Sequence, residues 1–169
     1  YTVVTLEQAV AAPLASRHLA DLGARVIKVE RTDGGDFARD YDDAVHGTGA
    51  HFVWLNRGKE SIAVDLKSDE GRKVVRALIR DADVFLQNLA PGAAARLGLG
   101  ADELREGHPE LVTVDLSGYG RGGPFEQRKA YDMLIQAESG LISITGTPEH
   151  AAKTGIPTAD IASGMYCAQ

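Results

Sequence analysis

Apolar positions along the chain follow two alternating rhythms. Short β-branched runs predict strands near residues 3–6 (Val3, Val4, Leu6), 25–30 (Val26, Ile27, Val29) and 62–66 (Ile62, Val64, Leu66). Two more are predicted near 84–87 (Val84, Phe85, Leu86) and 111–116 (Leu111, Val112, Val114, Leu116). Helical spacing fills the intervals. Pro13 suits a first helical turn, Leu14, Ala15, Leu19 and Leu22 follow at helical spacing, and Gly23 closes that helix in a left-handed cap. Phe52 to Asn56 reads as one helical turn. Ser68 caps a helix whose apolar face is Val74, Val75, Leu78, Ile79 and Ala82. Two further helices are expected from Tyr131 to Ser139 and from Asp160 to Gln169. Residues 32–50, 118–130 and 146–158 lack periodicity and read as loops. Strands separated by helices at this spacing predict βαβ units, right-handed crossovers and an α/β fold, a mostly parallel sheet with helices on both faces.

Composition narrows the class. The chain has 169 residues, with 18 basic against 24 acidic side chains and a formal charge of −6. Apolar residues make 44% and charged residues 25%, ordinary values for a globular chain that exclude a disordered tail, a collagen-like repeat and a basic nucleic-acid module. The length suits about one domain. A local cluster of cations would still suffice for a phosphorylated ligand. Cys167 stands alone, so no internal disulfide is available and a reducing cytoplasm is expected. Apolar runs stop far short of a membrane span, and the first residues carry neither a basic signal region nor an initiator Met, as in a processed or trimmed chain.

Few local motifs carry chemistry. Gly118 to Gly123 fits G-x-G-x-x-G after a predicted strand, but Pro124 to Lys129 offers no apolar helical face to present an N-terminus to pyrophosphate. The pattern therefore reads as a flexible glycine loop, not a nicotinamide site. His46 and His51 have no converging carboxylates, so no metal set is expected, and Asp40 to Asp43 reads as a solvated acidic run. Asp160 precedes a small-residue helix after Pro157-Thr158-Ala159. It reads either as a helix cap or as a carboxylate kept ionised by the helix dipole and aimed outward.

An ordered set of segments nonetheless resembles one family. Ala12-Pro13, Leu22 to Glu30, Asn56 to Ile62, Asp83 to Asn88 with Pro91-Gly92, Ser117 to Gly120 with Gly123-Pro124, Tyr131-Asp132 and Thr158 to Asp160 are similar to the family III CoA-transferases, the formyl-CoA transferase or CaiB/BaiF group. The resemblance implies a Rossmann-like large domain, a smaller second domain and an interlocked homodimer. It covers the N-terminal part of such enzymes, so residues 1–169 are expected to be the CoA-binding part of a large domain whose remainder lies elsewhere. It also implies coenzyme A or acyl-CoA as substrate, a carboxylic acid as second substrate, and no permanently bound cofactor.

Carried over residue by residue, the resemblance makes Asp160 the nucleophile, through an acyl-aspartyl anhydride and an aspartyl-CoA thioester. It sets Arg31, Val64, Lys67, Asn88, Leu89, Arg96 and Leu97 around the nucleotide end of CoA, and Lys129 and Tyr131 nearer the pantetheine and thioester. The chemistry suits those roles: Arg31, Lys67 and Arg96 are cations for phosphates, and Leu89 and Leu97 can sandwich adenine. Formyl-CoA transferases carry glutamine where Val10 stands here, a departure from oxalate/formyl pairing. Racemases of the same fold place a histidine directly before the aspartate matched by Asp132, where this chain has Tyr131. A tyrosine pKa of about 10 makes a poor proton shuttle at neutral pH, so transfer is favoured over racemisation, with a non-catalytic CoA-binding module as a third reading. The segment Tyr131 to Gly140 is similar to members acting on small dicarboxylates such as succinate.

Overall fold

A computed structural model describes residues 1–169. Strands β1 (Thr2–Leu6), β2 (Arg25–Glu30), β3 (Lys59–Ala63), β4 (Val84–Gln87) and β5 (Val112–Asp115) all pair parallel, in spatial order β3-β2-β1-β4-β5. The chain walks outward from β1 through β2 to β3, then crosses back to β4 on the other side of β1. A crevice opens where strand order reverses, beyond the carboxyl ends of β1 and β4.

Alternate residues of the strands bury into two layers. On one face Val4, Leu6, Val29 and Phe85 pack against Val75 and Ile79 of α3 (Asp69–Arg80), Ala94 of α4 (Ala93–Arg96) and Leu99. Leu104 of α5 (Ala101–Gly107) packs at the margin of that cluster. On the other face Leu86 and Val114 meet Ala12 and Ala15 of α1 (Ala11–Asp21) and Cys167 and Ala168 of α7 (Thr158–Ala168). The expected α/β sheet with helices on both faces is therefore present. Small residues bring α1 and α7 together: a Cβ on Gly164 would stand 2.5 Å from the Ala11 carbonyl oxygen. Further along, α2 (Ala50–Asn56) packs Leu55 against Val10 and Leu14, and α6 (Asp132–Glu138) contributes Ile135 to the crevice wall.

Local signals worked where the chemistry is local. Ser68 caps α3 by accepting from the Gly71 N–H at 3.0 Å. Gly23 takes φ +96° after α1, a conformation that L side chains rarely adopt. Four expectations shift. First, β3 lies at Lys59–Ala63, earlier than 62–66. It is an edge strand paired only with β2, so its polar Glu60 and Ser61 are tolerated, and Val64 enters the core just past its end. Second, Leu22 is 84% exposed and Val74 44% exposed, because each falls outside the stripe facing the sheet. Third, α4 and α5 and a 3-10 turn at Phe37–Asp40 occupy stretches given no element or read as loop. Fourth, α7 begins at Thr158, so Asp160 is its third residue and not its cap. After Gly118 to Gly123 no helix follows until Asp132, so the glycine loop presents no helix N-terminus. No helix is long and apolar enough to cross a membrane.

Candidate active site

Two adjoining cavities of about 410 and 450 Å³ lie at the carboxyl ends of the strands, sharing Gln8 and Leu89 between them. The first is bounded by the turn after β1, the Asn88–Pro91 turn after β4, the loop before α6 and the first turn of α7. The second lies beyond β2 and β3. An elongated ligand laid across both would run along the strand ends.

The turn after β1 is held in an unusual conformation. Ala9 has φ +64°, rare for a residue with a Cβ. Three polar contacts fix it. Asn88 accepts from the Gln8 N–H at 2.9 Å and donates to the Gln8 carbonyl at 2.9 Å, and Asp36 Oδ1 accepts from the Ala9 N–H at 3.1 Å. Asp36 belongs to a buried ionic network. Its Oδ2 takes a 2.6 Å bond from Lys28 Nζ, whose side chain is 1% exposed on β2. Lys59 Nζ donates to Glu7 at 2.6 Å, to the Pro13 carbonyl at 2.9 Å and to Asn56 at 3.1 Å. Ser16 donates to the other Glu7 oxygen at 2.6 Å. Burial drags the Lys59 ammonium down to about 8 against the pull of Glu7. Burial pushes Glu30 up, but bonds from Arg39, Ser61 and the Asp36 N–H outweigh it and hold the carboxyl at about 2. The network ties β1, β2, β3, α1 and the 32–50 loop into one rigid floor.

Asp160 stands in the wall of the first cavity with Lys129, Tyr131 and Ser163. Burial, then the negative charge of Asp132, pushes its carboxyl up to about 6. At about 6 the carboxyl is still mostly ionised at neutral pH, though less firmly than an exposed aspartate. The cap role belongs to another residue: Asp132 Oδ1 accepts from the Ala159 N–H at 2.9 Å and the Asp160 N–H at 3.3 Å. Gln136, fully buried, in turn donates to Asp132 Oδ2 at 2.7 Å. Tyr41 feels the Asp160 charge from the opposite loop, and its hydroxyl is raised chiefly by burial. Its ring lies between Phe37 at 5.8 Å and His51 at 6.0 Å, while the acidic run Asp40 to Asp43 is exposed, as read from the sequence.

The whole chain, residues 1–169, matches the family described as CoA-transferase family III. It belongs to that family. It is 39% identical over 97% of its length to human "Succinyl-CoA:glutarate CoA-transferase" and 40% identical over 97% to the Agrobacterium fabrum "Succinate--glutarate CoA-transferase". The chain spans 38% and 43% of the lengths of those two relatives. Among solved structures it is similar to a CAIB/BAIF family protein from Brucella suis, with a TM-score of 0.94 and 38% identity, covering 99% of this chain and 46% of that one.

The family III resemblance singled out ten positions, and the fold gathers eight of them along the two cavities. Asp160, Lys129, Tyr131, Asn88 and Leu89 line the first; Arg31, Val64, Lys67 and again Leu89 line the second. Asn88 meets the cavity with its amide already engaged by Gln8. Arg31 donates to the Gly35 carbonyl at 3.0 Å. Arg96 and Leu97 line neither cavity. Arg96 is exposed and bonded to the Pro91 carbonyl at 3.4 Å, and Leu97 packs at the margin of the core. The sequence reading missed the Glu7–Lys28–Asp36–Lys59 floor, Tyr41 and the Asp132–Gln136 pair. One signal was available: Lys28 interrupts an apolar strand in the middle of a parallel sheet, where a charge needs a buried partner.

Proposed function

We propose that this chain is the CoA-binding, nucleophile-bearing N-terminal part of the large domain of a CoA-transferase. Coenzyme A is its substrate, a carboxylic acid its second substrate, and Asp160 its nucleophile. The observation that carries the reading is the placement of a half-buried, otherwise unbonded carboxylate at the crevice where strand order reverses. Beside it, a second cavity holds two cations for phosphates, Arg31 and Lys67.

The chemistry follows from a carboxylate with a pKa near 6, which is mostly ionised at neutral pH and needs no general base. An Asp160 oxygen attacks the donor thioester carbonyl, the C–S bond breaks, and CoA leaves as thiolate, giving an acyl-aspartyl anhydride. The thiolate attacks the aspartyl carbonyl and expels the donor carboxylate, giving an aspartyl-CoA thioester. The acceptor carboxylate attacks that thioester, releasing thiolate and forming a second anhydride. Thiolate then attacks the acceptor acyl carbon, and Asp160 returns as carboxylate. No proton is gained or lost over the cycle.

A small dicarboxylate is the acceptor we favour. Relatives named for succinate and glutarate support it, as do Lys129 and Arg128 in the wall of the first cavity, which can face a second carboxylate. A homodimer in the cytoplasm is the expected setting. The decisive test is Asp160→Asn in the full-length protein. CoA exchange should vanish while folding persists, and wild-type enzyme given acyl-CoA should yield a hydroxylamine-trapped mass change on the Asp160 peptide. Substantial transfer by the Asn variant, with deamidation excluded, removes the mechanism.

A further inference from the structure

Gln136 is the one fully buried polar side chain of the α6–α7 half of the chain, and all its hydrogen-bonding capacity points at the approach to Asp160. Its Nε2 donates to Asp132 Oδ2 at 2.7 Å and to the Ile156 carbonyl at 3.5 Å. Its Oε1 accepts from the Thr154 N–H and the Thr154 hydroxyl, both at 3.0 Å. Thr154 in turn shares a 2.6 Å hydroxyl bond with Thr158, the first residue of α7. One amide therefore joins α6, the 146–157 loop and the carboxylate that clamps the first turn of α7.

We propose that Gln136 and Asp132 form a positioning pair for Asp160: Gln136 orients the Asp132 carboxylate, and Asp132 grips the Ala159 and Asp160 backbone N–H groups, fixing where the Asp160 side chain enters the cavity. The proposal rests on the nucleophile reading above. It assigns these two residues no contact with substrate. Pro157, at the start of α7, supplies no side-chain cap, so the helix depends on an acceptor from outside itself. The direction of the Gln136 amide is dictated by its neighbours, since only a donor can face Asp132 Oδ2 and only an acceptor can face the Thr154 N–H.

That polarity supplies the experiment. In the full-length protein, Asp132→Asn keeps an acceptor for the α7 N–H groups but turns its amide donor against the Gln136 donor. Gln136→Glu sets two carboxylates against each other. The double variant Asp132→Asn/Gln136→Glu restores the donor–acceptor pair between the two side chains and keeps an acceptor for Thr154, giving up only the 3.5 Å bond to the Ile156 carbonyl. Each single variant is expected to lower kcat at least tenfold with KM for acyl-CoA within about twofold, and the double variant to recover most of that loss. A second readout is the acid limb of kcat/KM. The groups near Asp160 are Asp132 from α6, Tyr131, Lys129 and Arg128 from the loop before it, and Tyr41 from across the cavity. Of these the single variant Asp132→Asn removes only the Asp132 charge and adds none, so its acid limb should move to lower pH.

Folded single variants with kcat within twofold of wild type overturn the proposal, as does a folded double variant no better than the worse single one. An unmoved acid limb in folded Asp132→Asn also overturns it, because Asp160 would then not be the group that Asp132 faces. Should the single variants fail to fold, the double variant decides: native turnover supports the pair, and an inactive or unfolded double variant refutes it. Failure here with Asp160→Asn inactive leaves the nucleophile standing. Turnover by Asp160→Asn removes the nucleophile whatever these variants do.

Discussion

Asp36 and Asp33 lie in the same loop, each paired with a cation, and the structure separates them sharply. Asp36 Oδ2 meets Lys28 at 2.6 Å with both side chains at 1% exposure or less, while Asp33 meets Arg31 at 3.8 Å in solvent. Asp36→Ala leaves the Lys28 ammonium in the interior, with Glu7 at 3.9 Å as its nearest remaining carboxylate and Asn56 as its 2.8 Å acceptor. Removing one partner of a buried pair costs about 3–5 kcal/mol, because the other charge is stranded. The same change frees the Ala9 and Ala38 N–H groups. Those losses fall within the same range and are not added to it. Against a total stability of roughly 5–15 kcal/mol, this is a large fraction. Asp33→Ala removes an exposed pair and should cost about 1 kcal/mol or less. Chemical denaturation of the full-length variants should show a large fall in midpoint for Asp36→Ala and almost none for Asp33→Ala. Native-state hydrogen exchange should show lost protection at Ala9 and Ala38 in the former only. Equal, small effects in both variants would refute the claim that this network holds the floor of the site.

The carboxyl of Glu30, held at about 2 against an ordinary 4.5, contributes stability that is complete above about pH 4.5 and is lost as pH falls through 2. Glu30→Gln should therefore flatten the acid side of the stability curve in that window, and an unchanged acid slope would contradict it. Asp160 acts as nucleophile only when ionised, so wild-type kcat/KM is expected to fall through a single protonation near pH 6, and a flat profile from pH 5 to 8 would count against it. Arg31→Ala and Lys67→Ala should each weaken CoA binding by about 1–3 kcal/mol in calorimetry, with smaller effects on the chemical step. Arg96→Ala reports whether the nucleotide end reaches the Pro91–Leu97 turn: loss in the same range places it there, and unchanged affinity removes Arg96 from the site. Gly164→Ala would push a methyl group against the Ala11 carbonyl and Leu14, so a loss of about 1–3 kcal/mol is expected in thermal melting of the variant.

The sheet was legible in the sequence because short β-branched and apolar runs and their spacing are local properties of the chain. Val3 to Leu6, Val26 to Val29 and Val84 to Leu86 declare strands by their side chains alone, and Ser68 and Gly23 declare helix ends by hydrogen bonding and φ within a few residues. The candidate site was legible only as an ordered resemblance, since Arg31, Lys67, Lys129 and Asp160 are far apart in sequence and none is distinctive alone. What the chain could not reveal by itself are the partners of its buried charges. Lys28 and Asp36 are close in sequence, yet Glu7 meets Lys59 across 52 residues, and only the order β3-β2-β1-β4-β5 brings them under one turn. Asp160 looked like a helix cap until packing placed Asp132 at that post, 28 residues upstream. Its pKa followed the same logic: burial beside a second carboxylate, which exists only in the folded chain, raised it to about 6.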